Sequence, residues 1–359
     1  MGITIGMLGL RHPHSRAHLR TFDASDRVEC VVLCDDDATA RDAAAAASRK
    51  AAGGCETLEA LLAQDAVSVV CVALPTNQVP AAIARCAMAG KHVLCEKPCA
   101  RNAAEFEPAK SELERAGLQF CVLYPWRRDP AILAMRELVG AGALGRLTSV
   151  ELRMVTTQVR FRDPSHWLFR GEVAGGGILS WLGCHWLDLL RFLTGEEVES
   201  ASALLGTLSR EAISVEDAAA VSLRLTGGAL VTLHAGYLLS SGRAGYEQAG
   251  YDMSIVLRGD QGTLHYQAAA KDHVIVLESS APAWRTAPSQ VRRFTLPDVP
   301  AYGGAHGLVF VEEFLDATEG RAASPATAQD ALRVLEVLDA VYLSASEERV
   351  VRLSGQGPA

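Results

Sequence analysis

A lysine at the end of a short apolar run is the residue best placed to do chemistry in this chain. Lys91-His92-Val93-Leu94-Cys95 reads as a buried strand, and Glu96-Lys97-Pro98 closes it. The carboxyl ends of such strands are where an open α/β sheet meets its ligands. A lysine there offers a mobile cation with three donors and a pKa that burial lowers. The proline behind it fixes the turn and admits a cis peptide. The competing reading is a solvated lysine in an ordinary β–α loop.

A second set of chemical residues lies at the N-terminus. The strand Ile3-Thr4-Ile5-Gly6-Met7-Leu8 runs into Gly9-Leu10-Arg11-His12-Pro13-His14, and a helix begins at about Ser15. Strand, glycine turn and helix in this order suggest a loop that cradles phosphate. The G-x-G-x-x-G fingerprint is incomplete, with Arg11 at the second glycine and His14 at the third. Arg11 must either point away or pair its guanidinium with phosphate. Asp35 ends the second strand, where an acid accepts both ribose hydroxyls of adenosine and repels a 2′-phosphate, so NAD is expected over NADP. Its neighbours Asp36 and Asp37 read as acids at a helix N-terminus. Leu74 and Pro75-Thr76-Asn77 follow the third long strand and would line the nicotinamide side. His12, His14 and His18 resemble a metal cluster, but no carboxylate or thiolate joins them at suitable spacing. Loop packing and a structural hydrogen bond from His18 are expected instead, with no metal.

These residues need a scaffold. Strand signals at Val28 to Cys34, Val67 to Leu74, Lys91 to Cys95 and Leu118 to Leu123 alternate with helical stretches at Ala38 to Ala52, Gln78 to Ala89 and Asn102 to Ala116. The continuous apolar run at Val67 suits a central parallel strand buried on both faces. The class is therefore α/β: a doubly wound parallel sheet over residues 1–123. From Tyr124 the pattern changes. A helix over Ala131 to Val139 precedes a long strand, Leu147 to Val159, and Gly175-Gly176-Gly177 opens a helix ending near Thr194. Strands at Ala218 to Leu225 and Leu230 to Leu238 flank Gly227-Gly228, a hairpin signal. Further strands fall near Met253 to Arg258, Gly262 to Tyr266 and Val274 to Leu277, and helices from about Gly307 and Ala328 end the chain. Residues 124–359 thus form a second, α+β domain with a large, mostly antiparallel open sheet, and Ala281 to Pro300 reads as a surface excursion.

Composition sets the bounds. At 359 residues the chain exceeds one ordinary core. With 49% hydrophobic and 21% charged residues it is globular, and a net charge of -8 argues against nucleic acid or an anionic membrane as partner. No apolar run reaches transmembrane length. The nine cysteines lie mostly in apolar runs, as small buried hydrophobes in a reducing compartment, so a cytoplasmic location is expected. Cys95 and Cys99 straddle the Glu-Lys-Pro turn without a second pair at zinc spacing.

Taken together, the chain resembles the Gfo/Idh/MocA oxidoreductases, the glucose-fructose oxidoreductase and inositol dehydrogenase family. The resemblance rests on Ile5-Gly6-Met7-Leu8-Gly9 with Ala17-His18, Asp35, Pro75-Thr76-Asn77, Glu96-Lys97-Pro98, and Tyr124 with Arg127. It continues through Gly142-Ala143-Leu144-Gly145, Gly175-Gly176-Gly177 with Gly183-Cys184-His185-Trp186-Leu187-Asp188, and Glu216-Asp217. It implies a Rossmann domain binding NAD(P) and a C-terminal sheet that makes a homodimer or homotetramer. The substrates it implies are sugars, cyclitols and related carbohydrates. By the same resemblance Lys97 lies beside the nicotinamide and His185 faces it from the second domain. Two departures stand out: the eroded glycines, and Trp181, which stands where dehydrogenases of the family place an Asp four residues before the histidine.

Oxidising a secondary alcohol moves a hydride from carbon and a proton from oxygen. Imidazole titrates near neutrality unaided, so His185 suits the base, and Lys97 suits a developing alkoxide. The site is expected in the cleft between the domains. Arg127, Arg162, His166, Trp167 and Trp181 are candidates for binding substrate, Trp181 as an apolar platform. Two alternatives stand beside net dehydrogenation. One is a hydrolase or lyase that retains NAD and oxidises its substrate transiently. The other is a non-catalytic Rossmann sensor.

Overall fold

The computed structural model describes residues 2–240, 250–269 and 272–353. The chain divides into two compact units: residues 1–128 with 297–333, and residues 129–296 with 334–359.

In the first unit, β1 (Ile3–Leu8), α1 (Ser15–Ala24), β2 (Val28–Cys34), α2 (Ala38–Ala47), β3 (Ala51–Cys55) and α3 (Leu58–Leu62) precede β4 (Val67–Val72), α4 (Val79–Met88), β5 (His92–Cys95), α5 (Ala103–Ala116) and β6 (Phe120–Val122). The six strands lie in the order β3-β2-β1-β4-β5-β6, every pair parallel. The order reverses beside β1, and the crevice at that switch point is where a doubly wound sheet binds its ligand. The core strands carry Ile5, Met7, Val31, Leu33, Val69, Val70, Val93 and Leu94, all buried. Each contributes about 1.5–3 kcal/mol through burial. Helix ends follow local chemistry: Asp37 caps α2 by accepting from Thr39 N and Ala40 N, Asn102 caps α5 from Glu105 N, and Gly117 ends α5 in the left-handed region.

The second unit begins at Asp129, whose carboxylate accepts from Ala131 N, from Tyr266 Oη at 3.1 Å and from His273 Nδ1 at 2.5 Å. It thereby caps α6 (Pro130–Gly140) and ties it to the sheet. Then come β7 (Leu147–Thr157), the short α7 (Gly171–Ala174), α8 (Cys184–Thr194), β8 (Val198–Gly206), β9 (Ala218–Leu225), β10 (Leu230–Leu239), β11 (Tyr251–Gly259), β12 (Gly262–Ala269), β13 (Asp272–Ser279) and β14 (Ser289–Thr295). After α9 (Gly304–Thr318), which belongs to the first unit, α10 (Ala328–Glu347) passes from one unit to the other and β15 (Val351–Arg352) ends the described chain. The nine-stranded order is β14-β13-β12-β11-β7-β10-β9-β8-β15, antiparallel except where β10 pairs with β7.

The fold class expected from the sequence is what forms, with three differences in detail. The helix expected over Ala38 to Ala52 stops at Ala47, and Ala51–Cys55 becomes the edge strand β3. The excursion expected at Ala281 to Pro300 contains β14, hydrogen-bonded along β13. A division at residue 123 does not express the return of residues 297–333 to the first unit. That return is held by Arg127, whose guanidinium donates to Pro325 O at 2.9 Å and pairs with Asp330 at 3.1 Å, and by Arg27 with Asp316 at 2.7 Å.

Candidate active site

The first unit gathers its chemical residues at the carboxyl ends of β1, β2, β4 and β5. Gly9 has φ +89°, and a Cβ there would lie 2.1 Å from the carbonyl oxygen of Ala73. Only glycine lets the loop after β1 pass this close to the end of β4. Ser15 Oγ donates to Gly9 O at 2.8 Å and ties the loop to the first turn of α1. The Leu10 N–H reaches Asp35 Oδ2 at 2.8 Å, while the Leu10 side chain turns toward α1 and α2. Beside Gly9 is a cavity of about 230 Å³ lined by Arg11, Asp35, Asp36, Leu74 and Gln78 among others. The cradle, the helix N-terminus and this cavity fit the pyrophosphate and adenosine parts of a dinucleotide. Gln78 was not anticipated; it ends the short 3₁₀ turn Thr76–Gln78 that follows Pro75, with Thr76 buried and Asn77 exposed.

The Glu-Lys-Pro turn is buried. Lys97 is 1% exposed, and its peptide bond to Pro98 is cis. Glu96 organises the turn. Its Oε1 accepts from His14 Nδ1 at 2.9 Å and His18 Nε2 at 2.5 Å, and its Oε2 accepts from Lys97 N at 3.1 Å. Burial alone would raise the Glu96 pKa, but the two imidazoles more than offset that and hold it well below the usual carboxylate range. Burial pushes His14 down to about 4 despite Glu96, with the Lys97 charge acting in the same direction. His12 is also lowered, chiefly by burial, and its Nδ1 accepts from His14 N at 3.1 Å. Lys97 thus lies within electrostatic reach of the neutral His12 and His14, which adjoin the ionised Glu96 and meet edge to face at 5.2 Å across Pro13 in the sequence. His12, His14 and Glu96 each offer a donor atom within 4.8 Å of the others. The carboxylate accepts three N–H groups, so a carboxylate does join these histidines, although none was expected from the spacing.

This cluster has a consequence for stability. An imidazole kept neutral in the fold but free to protonate when unfolded draws the equilibrium toward the unfolded chain as pH falls below its ordinary value. For His14 that window runs from 6.5 down to about 4. Glu96, lowered from 4.5, adds stability above that value, which is lost as pH falls through its folded pKa. The thermal midpoint should therefore decline from pH 6.5 to 4, and His14→Gln should flatten the first part of that decline. A wild-type midpoint that is flat over this range contradicts the assignment.

In the second unit, Gly177 leads into a π-turn, Leu179–Gly183, continuous with α8, which carries His185. Glu216 holds this start. Its carboxylate accepts from Gly177 N at 2.7 Å, Leu179 N at 3.0 Å and Tyr342 Oη at 3.0 Å. Burial raises the Glu216 pKa against those bonds. A Cβ at Gly177 would lie 1.9 Å from Glu216 O, and one at Gly176 the same distance from Tyr342 Oη. Gly177→Ala should cost about 2–3 kcal/mol in denaturant unfolding, because the obstacle is backbone. An unchanged midpoint would refute this packing role. The π-turn also alters an expectation: positions 181 and 185 are joined through a widened turn rather than a regular i,i+4 helical step.

Trp181 and Trp167 meet edge to face at 6.5 Å, with His166 against Trp167 at 5.3 Å. Three of the substrate candidates therefore form one aromatic corner. Arg162 is buried elsewhere in this unit, donating to Thr156 Oγ1 at 3.1 Å and lying 5.1 Å from the Tyr237 ring centre. Arg127 is committed to Pro325 and Asp330 in the first unit. Both guanidiniums have structural partners within their own units.

Known proteins agree with this anatomy. Residues 3–124 match the oxidoreductase family with an NAD-binding Rossmann fold, and residues 132–265 match the GFO/IDH/MocA C-terminal domain. The chain belongs to the Gfo/Idh/MocA family of NAD-binding oxidoreductases. Among its relatives, inositol 2-dehydrogenase of Rhizobium meliloti is 27% identical over 99% of this chain and all of that protein. Levoglucosan dehydrogenase of Pseudarthrobacter phenanthrenivorans is 28% identical over 79% of both chains. The crystal structure of the WlbA dehydrogenase from Bordetella pertussis, in complex with NADH and UDP-GlcNAcA, has the same fold (TM-score 0.84, 24% identity, 99% of each chain). Among the described residues no helix is long and apolar enough to cross a membrane.

Proposed function

We propose that this chain oxidises a secondary alcohol of a cyclic polyol or sugar, with Lys97 and His185 as its catalytic residues and NAD as the preferred cofactor over NADP. A bound nicotinamide supplies the hydride acceptor. Lys97 donates to the reacting oxygen and stabilises charge as it develops there. His185 takes the hydroxyl proton as the C–H hydride leaves, so carbon loses two electrons and oxygen one proton. The observation that carries the reading is the buried Lys97 at the end of β5, its charge acting on His12 and His14 beside the ionised Glu96. The aromatic corner of Trp167 and Trp181 suits the apolar face of a sugar ring. The relatives' names, inositol and levoglucosan dehydrogenases, support ring alcohols as the class and favour net oxidation over transient oxidation or sensing.

The test is a panel of cyclitols, anhydrosugars and aldoses offered with NAD and then NADP, followed by the absorbance of reduced nicotinamide. Net reduction with at least one ring alcohol is expected. Tight cofactor binding without reduction across the panel contradicts the proposal. The sheet of the second unit remains the expected surface for a homodimer or homotetramer, and sedimentation would decide it.

A further inference from the structure

We propose that Cys34 and Cys55 are joined by hydrogen peroxide in a reversible disulfide, and that this bond loosens the hold of the first unit on its dinucleotide. The second half of the proposal rests on the cofactor reading above.

The two thiols end neighbouring strands. β2 closes on Cys34, the edge strand β3 closes on Cys55, and the parallel ladder sets the two residues opposite each other. Paired residues of adjacent strands project to the same face, about 4.8 Å apart. A disulfide accepts Cα separations of about 4.4–6.8 Å. The Cys34 thiol is already in hydrogen-bonding contact with that of Cys55. Both are free thiols, Cys34 buried and Cys55 half-buried. Cys95 and Cys99 make a contrasting pair: both are closed off from solvent, and Cys95 Sγ donates to Glu96 O at 3.1 Å.

Exposure assigns the roles. Oxidation selects accessible thiolates with a resolving thiol beside them. Cys55, as thiolate, breaks the O–O bond of the peroxide and keeps one oxygen as a sulfenic acid, and the other oxygen leaves as water. The Cys34 sulfur then displaces the sulfenic hydroxyl and gives it a proton, so a second water leaves as the S–S bond closes. Two thiols lose two electrons and two protons, and one peroxide becomes two waters. Burial, with Cys55 and the Asp35 charge, raises the Cys34 thiol, which suits the resolving partner rather than the attacking one.

The bond bears on the cavity of about 230 Å³. Cys34 forms part of its wall, and so do Asp35 and Glu56, the residues that follow the two cysteines. Arg41 spans them, donating to Asp35 O at 2.6 Å and pairing with Glu56 at 3.2 Å. Drawing the sulfurs from contact to a bond of about 2.05 Å pulls the strand ends together. Among the described residues β3 pairs only with β2, so it is the strand that moves, and the carboxylates lining the cavity shift with it.

The test adds hydrogen peroxide to the reduced, purified protein, alkylates the remaining thiols and maps the linked fragments by tandem mass spectrometry. A Cys34–Cys55 linkage that dithiothreitol reverses is expected. NADH binding should weaken roughly five- to tenfold, the worth of one hydrogen bond. In Cys55→Ser, peroxide should leave NADH affinity unchanged. In Cys34→Ala, Cys55 should stop at the sulfenic acid, which dimedone traps. The proposal is overturned if the two cysteines stay unlinked, if the linked protein binds NADH as tightly as the reduced one, or if peroxide weakens binding equally in Cys55→Ser. Reduced protein that binds no dinucleotide would overturn the cofactor reading and the second half of the proposal, while the linkage map decides the first half independently.

Discussion

Lys97→Ala should lower turnover of an accepted ring alcohol by about 10²–10³-fold, the usual effect of removing one donor from a developing oxyanion. Dinucleotide affinity should persist, because the cradle at Gly9 and the cavity at Asp35 and Asp36 do not depend on the ammonium. Lys97→Arg should not restore the rate: the side chain is buried, and a planar fork cannot take the place of a compact point charge there. A second readout is independent of substrate. The Lys97 charge helps to hold His12 and His14 neutral, so both imidazoles should titrate at higher pH in the alanine variant, which NMR can follow. Full activity in Lys97→Ala would remove Lys97 from the mechanism, whatever happened to those imidazoles.

His185→Ala should lower turnover by about 10²–10⁴-fold, the range for losing a positioned general base. The helix should survive the change. Its start is fixed by Glu216, and Trp186 anchors it through Nε1 to Ser254 O at 3.4 Å. Added imidazole should recover part of the rate, because the missing function is proton acceptance and the substitution leaves a space. A variant that stays folded and fully active would exclude His185 as the base. Loss of activity with no response to pH or imidazole would point to a packing role.

The parts of this anatomy that were legible in the sequence are those set by local chemistry. Alternating apolar runs and helical stretches define the doubly wound unit because a parallel strand buried on both faces must be apolar throughout, as at Val67–Val72. Gly9 and the Glu-Lys-Pro turn stand out because few residue types fit such positions. What escaped depends on partners distant in sequence. Ala51-Ala52-Gly53-Gly54-Cys55 has no strand propensity of its own and is extended because β2 offers it a ladder. β14 carries charged residues on a strand whose only neighbour among the described residues is β13, so it lacks the apolar alternation of a half-buried strand. The role of Glu216 was hidden because the N–H groups it holds lie 37 and 39 residues earlier. The three histidines near the N-terminus resembled a metal cluster and were expected to pack in the loop with a structural hydrogen bond from His18, but no spacing rule could connect them with Glu96, 78 residues beyond His18.

The most direct test of hydride transfer follows the hydrogen itself. The protein is incubated with NAD and a ring alcohol from the active part of the panel, deuterated at its carbinol carbons, and the nicotinamide is examined by NMR. Deuterium at C4, on one face only, together with a ring ketone in equal amount, is the expected outcome. Reduced cofactor carrying hydrogen from solvent, or a transformed sugar with unlabelled nicotinamide, would contradict it.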